Sequence, residues 1–392
     1  MRFADRALAI DASGIRRVFD LAAKLDDPIN LSIGQPDFDV PEPIRADAVA
    51  AIQAGRNSYT QTQGTDELRA AVAASLRAEF PNLAPRIAGP GDPTDAESLS
   101  VFISSGVSGA LLLVALTLLQ AGDQCVMPDP GFVMYRHLVT LSGAEAVGVD
   151  TYPDFRLTAE RVEPLLTDRT RVVMVNSPAN PTGVTSDDDT LRELAELCAA
   201  RGVLLVSDEI YDAFHYDLTD YPHGRFPASP LRYGDPAQQL LLRGFSKSYA
   251  MTGWRMGYCL GPTPLIEQMA KLQQYTFVCA PAPFQAAGVT ALQTDMAPEV
   301  AAYARKRDRV VDTLGPHFEL SRPGGAFYAF PKVPEHLGQT ATEFVERAIA
   351  ENVLIIPGNV FSDRDTHFRL SYACDDTRLA RGLDTLVGLA GG

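Results

Sequence analysis

V-L-L-V-S-D-E-I-Y, residues 203–211, opens on four apolar residues with nothing polar between them and closes on two acids and a tyrosine. A strand with one face in water alternates apolar and polar side chains, whereas a strand covered on both faces does not. Runs of similar character stand at 171–175 (R-V-V-M-V) and 239–242 (Q-L-L-L), and further strand-like runs at 99–103, 124–127 and 256–260. The segments between them include 186–201 (S-D-D-D-T-L-R-E-L-A-E-L-C-A-A-R), with apolar residues at helical spacing behind an acidic first turn. Doubly buried strands alternating with helices predict the α/β class, a mainly parallel mixed sheet covered by helices.

Working outward, 392 residues exceed what one core holds, roughly 250–300, so a second lobe is expected. The last hundred residues supply it: a helical pattern over 298–314, then strand-like pieces at 326–330 and 367–372 around a helix near 341–351. The predicted division is a large domain over 44–290 and a smaller α+β domain formed by 1–43 and 291–392. The Pro- and Gly-rich segment 81–95 reads as a surface excursion.

Composition excludes several classes. A net charge of −15 argues against a nucleic-acid partner. The five cysteines are scattered and lack C-x-x-C spacing, which suits reduced thiols and a cytoplasmic location. The first residues carry acids and no long apolar stretch, so no signal peptide is expected. The longest apolar run, 110–119, is about half of the ~20 residues needed to span a bilayer, so no membrane role is expected.

In open α/β sheets, ligands bind beyond the carboxyl ends of the strands. Those ends read S-S-G-V-S-G-A (104–110), P-D-P-G-F (128–132), N-S-P-A-N-P-T-G (176–183), S-D-E-I-Y (207–211) and R-G-F-S-K-S-Y-A-M-T-G-W-R (243–255). Alone, each is ordinary: a tight glycine turn, a core Phe132, a capping Asp208, a surface Lys247. Together they bring an amine, an acid, an anion cradle at a helix N-terminus and Arg255 to one sheet edge. No His or Cys group has metal-ligand spacing. The sequence lacks a G-x-S-x-G elbow, a G-x-G-x-x-G after its first strand and a P-loop. Pyridoxal 5'-phosphate accounts for the set: it forms a Schiff base with a lysine, needs an acid beside its ring nitrogen and carries a phosphate.

These motifs resemble the class I/II aminotransferases, the fold type I family of pyridoxal-phosphate enzymes. The resemblance runs from L-S-I-G-Q-P-D-F-D-V-P (31–41) to H-F-R-L-S-Y-A (367–373), and S-K-S-Y-A-M-T-G-W-R-M-G-Y (246–258) is its most specific string. It implies Lys247 as the Schiff-base lysine and proton carrier, Asp208 on the ring nitrogen, and Tyr211 and Asn180 on the phenolic oxygen. Phe132 would stack on the ring. Arg255, the amides at Gly106 and Val107, and Ser246 or Ser108 would hold the phosphate. Arg369 would clamp the substrate carboxylate, with Asn180 and the backbone near Gly34 assisting. Tyr59, in N-S-Y-T-Q-T-Q-G (57–64), would cross a homodimer interface to the neighbouring phosphate.

The resemblance further implies cis bonds at Asp129–Pro130 and Asn180–Pro181. One departure stands out: Gly244 replaces the serine that many relatives place three residues before the lysine. Arg16 and Arg17 read as surface charges or, alternatively, as readers of a second substrate carboxylate. The implied activity is transfer of an amino group from an L-amino acid to a 2-oxo acid. Rivals are a carbon–sulfur β-lyase or synthase of the same fold and, in another class, a pyridoxal-phosphate-binding regulator.

Overall fold

The computed structural model describes residues 1–10, 25–216 and 227–391; Arg16 and Arg17 lie outside them. The strands, in chain order, are β1 (Ile29–Asn30), β2 (Ile87–Ala88), β3 (Leu99–Ser104), β4 (Gln124–Asp129), β5 (Glu145–Asp150), β6 (Thr170–Asn176), β7 (Leu204–Asp208), β8 (Gln239–Gly244), β9 (Gly257–Pro262), β10 (Tyr328–Ala329), β11 (Val353–Leu354), β12 (Ile356–Pro357) and β13 (Phe368–Ser371). The main sheet has eight strands in the order β2-β3-β9-β8-β7-β6-β4-β5. Every neighbour pair is parallel except those made by β9, which runs antiparallel to β3 and β8. This is the mixed, mainly parallel α/β sheet that the apolar runs predict.

Strand β7 shows why its sequence does not alternate. Leu204 and Val206 enter one hydrophobic cluster, Leu205 another, and all three are buried. Covering both faces puts every side chain out of water, at roughly 1.5–3 kcal/mol per fully buried aliphatic residue. The acidic turn predicted before 190 caps helix α1 (Asp188–Arg201): the Asp187 carboxylate accepts the Thr190 N–H at 2.8 Å, and Gly202, at φ +61°, ends it.

Register sets the level of the strand ends. Asn176 pairs with Asp208, and Asp208 with Leu242, so the ends of β6, β7 and β8 lie side by side. Near the C-terminus, β13 stands between β10 and β12, and β1 pairs in parallel with β11.

One expectation is corrected, and one strand carries no legible signal. Segment 81–95 is not merely a surface excursion, because it contains β2, whose Ile87 is buried against the sheet. Residues 145–150 (E-A-V-G-V-D) form β5 at the opposite edge, where part-exposed residues give too weak an apolar signal to read. Asp129–Pro130 and Asn180–Pro181 are both cis, as are Tyr152–Pro153 and Ser177–Pro178.

Candidate active site

Beyond the ends of β6, β7 and β8 lies a cavity of about 180 Å³. Lys247, Asp208, Tyr211, Asn180 and Phe132 line it, together with Val107, Ser246, Arg255, Gly34 and Arg369. Tyr59 does not. Its side chain is 84% exposed and borders a wider, more open neighbouring cavity, which shares Arg255 and Ser108 with the first.

Asp208 ends β7 with its carboxylate buried. Its partners are the Tyr135 hydroxyl, donating to Oδ2 at 2.6 Å, and the Ile210 N–H, donating to Oδ1 at 3.2 Å. Burial pushes the carboxyl up to about 6, against the pull of those donors and of Lys247. The Asn176 amide holds the strand ends together: Nδ2 donates to the Asp208 carbonyl at 2.8 Å, and Oδ1 accepts the Asn180 N–H at 2.8 Å.

Lys247 sits in the short turn Phe245–Ser248 that follows β8. Its ammonium donates to the Gly34 carbonyl. Burial lowers its pKa to about 8, with the Arg369 and Arg255 guanidiniums pushing the same way and Asp208 opposing them. Behind this turn, the buried Arg243 guanidinium donates to both oxygens of Glu79 at 2.6 and 2.8 Å and to Glu209 Oε2 at 2.8 Å. Removing one partner from such a buried pair costs about 3–5 kcal/mol, so the ends of β7 and β8 are firmly tied.

The glycine loop becomes the start of helix α2 (Gly106–Leu118), which Ser105 does not cap with its side chain. Its first amides are therefore left for an anion. Gly244 and Gly257 pair across β8 and β9, and the helix N-terminus rests on that pair. A Cβ at Gly257 would lie 2.8 Å from Gly106 C and Val107 N. One at Gly244 would lie 2.8 Å from Ile210 Cδ1 and 3.3 Å from Val107 Cγ2. The departure at Gly244 thus has a packing reason: Val107 and Ile210 fill the space a serine would need. Arg255 closes the cradle, since a Cβ at Gly106 would lie 2.7 Å from its Nη2.

On the other side, Arg369 comes from β13 and is buried. Nη1 donates to Asn180 Oδ1 at 3.0 Å and Nη2 to the Ser32 carbonyl at 2.6 Å, while Nε is buried with no hydrogen-bond partner among the described residues. The guanidinium lies 4.6 Å from the Tyr328 ring centroid and 4.8 Å from that of Phe361. A buried guanidinium with an unpaired donor suits a bound carboxylate.

Sequence reasoning missed Tyr135, Asn176 and Tyr328. Tyr135 lies in the first turn of the helix after P-D-P-G-F, and Asn176 opens N-S-P-A-N-P-T-G, so strand-end position was the available signal. Nothing near Tyr328 in the sequence points to the site. Among the described residues, no His/Cys/Asp/Glu cluster could hold a metal ion.

An amine of lowered pKa, a buried carboxylate, an anion cradle and a buried arginine around one cavity suit a phosphate-bearing aldehyde cofactor and an amino acid. A model of the family described as aminotransferase class I and II matches residues 26–386. The chain belongs to that family. It is an enzyme, a transaminase. It is 34% identical over 390 residues to a probable aspartate aminotransferase of Methanocaldococcus jannaschii, covering 96% of this chain and 97% of the relative. It is 35% identical over 391 residues to a probable N-acetyl-LL-diaminopimelate aminotransferase of Bacillus subtilis, at 97% and 94% coverage. The solved aspartate aminotransferase of Thermus thermophilus with maleate superposes on this aminotransferase with a TM-score of 0.89, at 30% identity, covering 99% of this chain and all of that one.

Proposed function

We propose that this aminotransferase carries pyridoxal 5'-phosphate on Lys247 and moves the amino group of an L-amino acid to a 2-oxo acid in two half-reactions. The observation that carries the reading is the Lys247 amine set in one cavity with Asp208 and Arg369. When bound, the cofactor supplies an aldehyde that takes up the amino group and a protonated ring that accepts the electron pair of the broken Cα–H bond.

The chain's own groups do the rest. Burial and the Arg369 and Arg255 guanidiniums favour the neutral amine of Lys247 over the ammonium. That neutral Nζ would take the proton from the substrate α-carbon and deliver it to the carbon that the cofactor's aldehyde supplies. Asp208, held by Tyr135, supplies the fixed negative charge for the ring nitrogen. Tyr211 would donate to the phenolic oxygen, and Phe132 would pack against the ring. The Gly106 and Val107 amides, Ser246 and Arg255 would bind the phosphate, and Arg369, hydrogen-bonded to Asn180, would orient the substrate carboxylate. Lys247 donates to the Gly34 carbonyl, which ties the 31–41 segment to the site.

Two further readings rest on the same basis. A homodimer would bring Tyr59 of one protomer to the phosphate cradle of its partner; the exposure of Tyr59 on the single chain supports this. Five free cysteines support a reducing compartment, the cytoplasm.

The test is to add an L-amino acid alone to the holoprotein. Transamination leaves pyridoxamine phosphate equal to the sites present. Recovery of the aldehyde form with ammonia released would instead identify an elimination enzyme.

A further inference from the structure

The Tyr328 and Tyr211 hydroxyls lie 2.9 Å apart, both side chains buried. Two phenols at that distance share one proton between them and leave the other free. If Tyr328 donates, the Tyr211 proton is free to point into the cavity; if Tyr211 donates, it is not. Burial holds both phenols above their ordinary value, so both are protonated. Around Tyr328, the Arg369 guanidinium lies over its ring, and a Cβ at Gly34 would lie 2.5 Å from its hydroxyl. Tyr328 therefore touches the carboxylate-binding arginine, the segment that accepts Lys247 and the tyrosine beside Asp208.

We propose that Tyr328 is a positioning residue, whose hydroxyl donates to Tyr211 and thereby aims the Tyr211 proton at the cofactor. The inference rests on the proposed Lys247-linked pyridoxal phosphate. A donor behind Tyr211 makes it a stronger donor in turn. That favours the anionic phenolic oxygen and lowers the pH at which the Lys247-bound cofactor titrates.

The experiment is an absorbance pH titration of purified holoprotein with and without Tyr328→Phe. Phenylalanine keeps the ring beneath Arg369 and removes only the hydroxyl. The midpoint should rise by about half to one pH unit, with kcat about tenfold lower and KM within about threefold. Made on a Tyr211→Phe background, the same substitution should move the midpoint no further, since its effect passes through Tyr211. An unchanged midpoint, or an equal shift without the Tyr211 hydroxyl, overturns the role of Tyr328. Wild-type protein with no Lys247-linked absorbance band overturns the cofactor assignment, and this inference with it.

Discussion

The Tyr135 hydroxyl donates to Asp208 Oδ2 at 2.6 Å. It opposes burial, which raises the Asp208 carboxyl to about 6. Only the ionised carboxylate can pair with a protonated ring nitrogen, whose charge would in turn hold Asp208 below that value, so activity should fall as pH drops through the lowered Asp208 value. Tyr135→Phe removes a bond that stabilises the ionised form, so the value rises and the acid limb moves to higher pH. A hydrogen bond to a charged group is worth about 1.5–3 kcal/mol, and 1.4 kcal/mol is about one unit. The kcat/KM profile of the variant should shift up by about one to two units; an acid limb that stays put or moves down would count against the pairing.

Gly257 lets helix α2 approach the sheet. A Cβ there meets backbone atoms of Gly106 and Val107, which cannot swing aside as a side-chain tip can. Gly257→Ala should lower stability by about 1–3 kcal/mol and weaken phosphate retention. Thermal melts and titration of the apoprotein with inorganic phosphate measure both. Wild-type phosphate affinity in a folded variant would show that the cradle lies elsewhere.

Arg369 presents a planar fork, two arms of which are set by Asn180 and Ser32. Lysine cannot reproduce that fork. Arg369→Lys should raise KM about ten- to a hundredfold for every amino acid accepted, with bound cofactor retained. A loss confined to one substrate would make Arg369 a reader of side chains.

Tyr59 is exposed on the chain and stands beside a cavity that shares Arg255 with the site. In a homodimer, Tyr59→Phe should lower cofactor affinity about three- to tenfold, the worth of about one hydrogen bond. Sedimentation should give twice the chain mass. A fully active monomer would contradict this arrangement.

How far the sequence could be read depends on what holds each residue in place. Asp208 and Lys247 were legible because each follows an apolar run, and strand ends in a parallel sheet face one edge. Strand β5 was not, since an edge strand keeps polar residues in water and loses the apolar signature. Gly244 looked like a missing ligand until the spatial contacts with Val107 and Ile210, both distant in sequence, gave it a packing reason. Tyr328 joins the site from β10, outside the main sheet, through a contact 117 residues away from Tyr211 in sequence, which no local pattern encodes.

Everything proposed for the site turns on which lysine carries the cofactor. The measurement is borohydride reduction of the holoprotein followed by peptide mapping. The pyridoxyl label should fall on Lys247 alone, and Lys247→Ala should hold the cofactor only loosely, take no label and lose nearly all turnover. Label on exposed Lys271, or on Lys306, which donates to Asp37 and the Cys374 carbonyl, would contradict the assignment, as would near-normal turnover by Lys247→Ala.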